Sequence, residues 1–390
     1  MKRNVVASFD EGGWDYGVWG GPYHRLHQER GARFCVYNNR LMAVSQGGDR
    51  YEEYWKLRRE ASLVDTGERP TEIVGPDAER LCNRLFTRDC AKLKPGRAGY
   101  GLLLYPDGGI LCDGILMRLA PDRYWYVQAD GPVFSWLVAH AQGLDVTIRD
   151  PRSWVSQVQG PRSLDVLAAA SDTGLPANFG YFAVARTTMG GQPVLLSRTG
   201  WTGELGFEFY TLPDEAPLDG EALWRHVEAA GRPLGMTVCG LDSMDIRRIE
   251  AGILNNVSDM DETMNPWQAG LGSFIDLGKG DFIGRDALLT ADRRPLLTGL
   301  TCAGGEPVTG APVHAGGKAI GRVTAAAWSP HLACGIAIVR LRDADDRSAA
   351  GVTVAARGKG EQSASLTDLP LYDREKAIPR GLDRSIPDRR

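Results

Sequence analysis

Residues 96–114 read GRAGYGLLLYPDGGILCDG. An apolar run ends at Tyr105, the turn Pro106-Asp107-Gly108-Gly109 follows, and a second apolar run starts at Ile110. Gly and Asp at such a turn, between two strand-like runs, are the signature of an antiparallel hairpin. Outward from it, the second run reaches Leu119, Pro121-Asp122 marks another turn, and Tyr124 to Ala129 makes a third strand. The stretch therefore predicts an antiparallel meander. One residue breaks its pattern, because Asp113 interrupts a strand that is otherwise apolar on both faces. An ionised carboxylate buried there is costly without a partner or a ligand. Two readings stand at this point: a carboxylate that meets a ligand, and a strand-end Asp that accepts a turn N–H.

The same grammar returns along the chain. Residues 51–64 (YEEYWKLRREASLV) predict a helix that stops at Asp65-Thr66-Gly67, with Tyr54, Leu57 and Ala61 at helical spacing. A strand at Thr71 to Val74 follows, then a helix through Ala78, Leu81, Leu85 and Phe86 that Asp77 is placed to cap. Further on come a strand at Val155 to Gln159, a helix at Pro161 to Ala170, paired strands at Tyr181 to Thr188 and Val194 to Arg198, a strand at Phe207 to Thr211 and a helix at Glu221 to Ala230. From about 293 onward short strands alternate with Gly and Pro turns, which predicts a small all-β domain. The charged, proline-bearing stretch 376–390 predicts a surface tail. The class is α+β.

Composition narrows the functional classes. In 390 residues, 43% are apolar and 24% charged, and 48 glycines with 22 prolines imply many turns. The net charge of −4 is spread without a long basic block, which argues against a nucleic-acid partner. No stretch approaches a membrane span, and Asp10 and Glu11 interrupt the N-terminus before a signal-type apolar region forms. Seven widely spaced cysteines without a Cys-x-x-Cys read as reduced thiols, and His24 with His27 as a surface pair, so the expectation is a cytoplasmic protein without a metal site.

Three further stretches carry candidate chemistry. Residues 197–209, SRTGWTGELGFEF, combine glycines that admit a flat ligand, a stacking face at Trp201 and a carboxylate, Glu208, between two aromatics. A buried Glu there suits a ring with two adjacent N–H donors; the alternative is a hairpin with exposed glutamates. Arg248, near a helix end stopped by Gly252, either clamps a carboxylate of a ligand or pairs with Glu250 or Asp245. Asn265 to Leu271, with Trp267, is an apolar turn suited to a pocket wall or to core.

Taken in order, these stretches resemble the glycine-cleavage T-protein (aminomethyltransferase) superfamily. The resemblance rests on GRAGYGLLLYPDGGILCDG, SRTGWTGELGFEF, RIEAG at 248–252, NPWQAGL at 265–271, DFIGRDAL at 281–288 and GRVTAAAWSPHL at 321–332, and covers roughly residues 30–345. It implies a three-domain cloverleaf around a central channel that holds tetrahydrofolate: 1–68 with 154–260 as a first α+β domain, 69–153 with 261–292 as a second, 293–375 as an all-β barrel-like domain, and 376–390 as the tail. It also implies that Asp113 is the catalytic carboxylate beside folate N5, and that Tyr100, Ile115, Trp201, Glu204, Glu208 and Arg248 bind the folate. Glu204, in a turn, is expected to be more exposed than Glu208. Trp19, Tyr37, Asn256 and Trp267 are candidates for the donor side.

The departures bear on the substrate. Where aminomethyltransferases have Asp-Val-Ser-His-Met-Gly, this chain has Asp65-Thr66-Gly67-Glu68-Arg69-Pro70. Where they have Tyr-Gly-Asn-Asp, it has Asn256-Val257-Ser258-Asp259, and Gln268 replaces a glutamate. Segment 34–42 and the Glu68-Arg69 pair look more like the branch containing dimethylsulfoniopropionate demethylase. The expectation is an enzyme that moves a methyl group from a small methylated donor, an onium, methyl ether or methylamine, to tetrahydrofolate, acting as a monomer or homodimer. The alternatives are true aminomethyl transfer in glycine cleavage and a non-catalytic folate-binding protein of the same fold, such as an iron-sulfur assembly factor. The cysteine motif of such factors is missing, since Gly278 to Arg285 reads GKGDFIGR. The aromatic stretch Trp14 to Tyr23 is expected to fold over the channel mouth.

Overall fold

The computed structural model describes residues 5–6 and 18–389 of the chain. The opening hairpin forms as its turn dictates: Arg97–Leu104 pairs antiparallel with Ile110–Ala120, and that strand with Arg123–Gln128. Arg69–Val74 and Thr147–Arg149 complete this five-stranded sheet. Its outer face carries helices Ala78–Leu85 and Val133–His140, whose Leu81, Leu85 and Leu137 pack on Ile73, Leu103 and Tyr124.

A second sheet of six strands runs in the order Val184–Met189, Gln192–Ser197, Gly206–Thr211, Val155–Gln159, Ser62–Thr66, Thr237–Val238. All its pairings are antiparallel except the last. Helices Ser163–Ala170 and Gly220–Gly231 cover one face through Val166, Leu167, Leu223 and Trp224. The other face meets the first sheet, where Met117, Trp125 and Val127 pack on Val155, Leu195 and Tyr210. A third, antiparallel sheet of seven strands holds Leu297–Cys302, the long strand Lys318–Ser329 and Cys334–Leu341. All three units converge on one apolar cluster that includes Leu102, Ile249, Met264 and Ile338.

Three local expectations change. The helix predicted over 51–64 is Arg50–Arg59, capped by the Asp49 carboxylate, and Ser62–Thr66 is a strand. Leu63 and Val64 are both fully buried, one under each face of the second sheet, so the partner strand Val155–Gln159 overrides the helical spacing. Asp77 does not cap its helix; its Oδ2 accepts from the Asp145 amide, 2.9 Å away. The C-terminal stretch is no free tail. Ile378 and Pro379 are buried in a short helix, and the Pro387 carbonyl accepts from Arg59 at 2.6 Å. Among the described residues no helix is long and apolar enough to cross a membrane.

Candidate active site

Alternation along Ile110–Ala120 puts Asp113, Ile115 and Met117 on the face that looks toward the second sheet. Opposite, Glu208 and Tyr210 alternate out of Gly206–Thr211 toward the first sheet. The two carboxylates singled out in the sequence thus lie on the facing sides of the two sheets.

Asp113 is 9% exposed. Its Oδ2 accepts from the Tyr100 hydroxyl at 2.7 Å, while its buried Oδ1 has no partner among the described residues. Burial pushes this carboxyl up to about 6, against the pull of the Tyr100 bond, and the charge of Asp259 adds to the rise. The Tyr100 ring lies 4.6 Å from that of Phe274. Ile115 stands opposite Tyr100 in the hairpin and packs into the cluster between the sheets.

Glu208, 6% exposed, is held by three donors: Thr199 Oγ1 at 2.6 Å and the Tyr210 hydroxyl at 2.5 Å on Oε2, and Gln157 Nε2 at 3.2 Å on Oε1. Burial, then the charge of Glu68, still pushes it up to about 7. Gln157 joins the two halves of the SRTGWTGELGFEF motif, since its Oε1 also accepts from the Trp201 amide. Gly200 and Gly206 are required here, because a Cβ on either would lie 2.2 or 2.1 Å from the neighbouring Gln159 amide group. Trp201 itself is half-buried. Its indole N–H reaches the Leu254 carbonyl at 3.4 Å, and the Arg248 guanidinium sits 5.2 Å from its ring centre.

Two residues assigned to the ligand turn out to be engaged within the protein. Glu204 is as buried as Glu208, at 5%, because its turn tucks against helix Leu241–Glu250. Its carboxylate pairs with Arg58 and, at 2.6 Å, with Arg247. Arg248 directs Nε to Asp245 at 2.8 Å and Nη1 to Asp259 and the Ile253 carbonyl. It stands behind Trp201 and fixes Asp259, which also accepts from Thr324 Oγ1 at 2.6 Å.

Of the donor-side candidates, Tyr37 and Asn256 meet at one loop. The Tyr37 hydroxyl accepts from the Asp130 amide at 3.2 Å, and Asn256 Nδ2 donates to the Asp130 carbonyl at 3.0 Å. Asn256, 5% exposed, leaves its Oδ1 buried and unpartnered. Burial, then the charges of Glu68 and Asp113, push the Tyr37 hydroxyl well above its usual range, so Tyr37 feels both carboxylates. Trp267 shares the apolar cluster of Tyr100 and Phe274, with Arg293 4.6 Å from its ring centre. Trp19 stands apart, 66% exposed, joined to the hairpin that ends Arg33–Tyr37 only through backbone bonds to Asn39 and Leu41. Residues 14–17 of the aromatic stretch lie outside the described residues. Sequence reasoning missed Gln157, Phe274 and the burial of Glu68 Oε2, which has no hydrogen-bond partner among the described residues. The polar alternation of VSQVQ at 155–159, in a strand buried throughout, was the available signal for Gln157.

Buried acceptors without donors, beside aromatic faces, suit a flat, N–H-rich ligand. The profile of the GCVT N-terminal domain matches residues 23–279, and that of the glycine cleavage T-protein C-terminal barrel domain residues 296–373. The chain belongs to the glycine-cleavage T-protein family. Members of this family work in tetrahydrofolate-dependent one-carbon transfer. The aminomethyltransferase of Streptomyces avermitilis is 35% identical over 366 residues, covering 90% of this chain and 96% of that one. The trimethylamine-oxide aldolase of Ruegeria pomeroyi is 33% identical over 368 residues, 89% of this chain but 46% of that protein. Among solved structures, the glycine cleavage system aminomethyltransferase T of Bartonella henselae superposes with a TM-score of 0.80 at 26% identity, covering 91% of this chain and 98% of that one.

Proposed function

We propose that this T-protein family member transfers a one-carbon unit from a small, nitrogen-bound donor to tetrahydrofolate, with aminomethyl transfer the first reading. The observation that carries it is Asp113: a carboxylate buried in the interdomain space, oriented by Tyr100 through one oxygen and unpartnered at the other. Full-length relatives named aminomethyltransferases support aminomethyl over methyl transfer, and so move the reading away from the demethylase branch that the sequence motifs suggested. Direct methyl transfer remains the second reading, favoured by Glu68-Arg69-Pro70 in place of the family's His-Met-Gly.

The residues fit tetrahydrofolate. Asp113 and Glu208 are acceptors raised toward neutrality, and Tyr100, Phe274 and Trp201 offer ring faces. When bound, tetrahydrofolate supplies the nucleophilic nitrogen that receives the carbon. Glu208, held rigid by Thr199, Tyr210 and Gln157, reads ring N–H groups. Asp113 Oδ1 takes up a proton and offsets positive charge that develops beside it, in a site with little water to compete. Tyr100 keeps that oxygen aimed by holding the other.

The test is to incubate the protein with tetrahydrofolate and a panel of aminomethyl and methyl donors and to identify the folate product. The first reading expects 5,10-methylene-tetrahydrofolate. A 5-methyl product establishes the second, and folate that binds without any product returns the chain to a non-catalytic role.

A further inference from the structure

Glu68 sits at the point where the chain departs from its family, immediately after the strand Ser62–Thr66. Among the described residues no cation hydrogen-bonds its side chain, although the charge of Arg40 acts on it and offsets part of what burial adds. The hydrogen bonds of two neighbouring arginines go elsewhere: Arg40 donates Nη1 to the Glu68 backbone carbonyl at 3.0 Å and lies 4.1 Å from the centre of the Trp154 ring, and Arg69 binds Asp150 through Nε at 2.9 Å and Nη2 at 2.6 Å. Oε2 of Glu68 is buried and unpartnered, while its charge acts on Tyr37 and Glu208.

Two other orphans share this neighbourhood. Asp113 Oδ1 and Asn256 Oδ1 belong to side chains more than nine-tenths buried, and Tyr37 links all three, since it feels Glu68 and Asp113 and shares the Asp130 loop with Asn256. Every one of these atoms is an acceptor. A ligand that satisfies them must bring positive charge or N–H donors, because a buried carboxylate oxygen opposed by nothing is unfavourable. Glu208 cannot serve the same purpose with equal freedom, as three protein donors already hold it. The Tyr37 ring lies against Gly67 so closely that a Cβ there would meet Cδ1 at 2.9 Å, which fixes an aromatic ring one residue from the Glu68 carboxylate.

We infer that Glu68, with the Tyr37 ring beside it, is the cation-binding element of the donor half-site, and that the one-carbon donor carries a positive charge, as an alkylammonium or another onium group. The inference rests on the function proposed above, yet its test needs no turnover. Onium cations lose less by leaving water than compact ions do, and an aromatic ring with a carboxylate compensates them.

Calorimetric titration of the whole protein with tetramethylammonium chloride, and with tert-butanol as an uncharged control of similar size, measures the charge preference; tetrahydrofolate is titrated separately. The wild type is expected to favour the cation at least about tenfold. Glu68→Gln, an isosteric change, abolishes the preference while folate affinity stays within about twofold, and Glu68→Asp retains part of it, which separates lost charge from lost folding. A wild type with equal affinity for both probes, an unchanged preference in Glu68→Gln, or a folate affinity that falls along with it overturns the inference and leaves the function intact. Absence of folate binding to the wild type overturns the function itself, and the donor half-site with it.

Discussion

Two buried groups of carboxylates, both lying where units of the molecule meet, have opposite electrostatic character. In one, Glu204 is paired with Arg58 and Arg247, Glu250 with Arg247 at 3.7 Å, and both arginines face the Tyr372 ring. Tyr54 and Ser329 both donate to Glu250 Oε1, at 2.7 and 2.5 Å, while its buried Oε2 has no hydrogen bond and faces Arg247 at ion-pair distance. In the other, among the described residues, hydroxyls and an amide are the side-chain donors to Asp113 and Glu208, and Glu68 Oε2 has no hydrogen bond. The first group is neutralised from within and joins helix Arg50–Arg59, helix Leu241–Glu250 and the C-terminal sheet. The second has no such ion pair among the described residues, although the charge of Arg40 acts on Glu68. Charge compensation, more than burial, therefore distinguishes the two groups.

The largest effect expected from breaking this contrast is on turnover. Asp113→Asn keeps the shape and the Tyr100 contact but removes the proton acceptor, and should lower turnover by roughly two to four decades while folate affinity changes less than about tenfold. Normal turnover would remove Asp113 from the chemistry. At the compensated group the effect should fall on stability instead. Arg247→Met takes the ion pair from Glu250 and leaves Glu204 with Arg58 alone, and should cost about 3–5 kcal/mol, visible as a large drop in Tm with little change in the kcat of the folded fraction. An unchanged Tm would dissolve the distinction.

Both chosen motifs were legible because their partners are local. Asp113 and Tyr100 belong to one hairpin, and two of the three donors to Glu208, Thr199 and Tyr210, lie within a dozen residues of it; alternation marked the two carboxylates, while the family resemblance supplied Tyr100 and the ligand roles. Glu204 was misjudged for the opposite reason. Its cations lie 146 and 43 positions away, and nothing in a turn announces them. The strand Ser62–Thr66 was hidden in the same way, since short runs that fit a helical spacing are redirected by a partner strand that the local pattern does not contain. The role of Glu68 was invisible because it consists of what is missing around one oxygen.

Smaller effects sharpen the contrast. The carboxyls of Asp113 and Glu208 are raised on folding, so the native state binds more protons than the unfolded chain between about 4 and 7. Stability should then fall as pH rises through that window, and Asp113→Asn with Glu208→Gln should flatten the slope; a slope of the opposite sign would show these groups to be compensated. Turnover should rise with pH through about 6 as Asp113 becomes a proton acceptor, a profile that the Asn variant loses. The mildest change is Glu208→Gln, which opposes a ring donor with its own NH2 and should weaken folate roughly tenfold, with Tm unchanged or raised. Unaltered folate affinity would detach Glu208 from the ligand.

The interleaving of the two α+β sheets has a consequence for how the protein is made. Ser62 and Gln159 are bonded neighbours although 97 residues separate them, and the intervening chain builds the other sheet. On the ribosome, helix Arg50–Arg59 and strand Ser62–Thr66 emerge early and must wait until the Asp113 hairpin has been synthesised before their own sheet can close. Arg59 then waits again for Pro387, 328 residues downstream. The contact of Arg59 thus forms only after residue 387 has been made, so truncation before Pro387 should loosen helix Arg50–Arg59, and chaperone dependence should be concentrated in nascent chains that have the first sheet but not yet that residue.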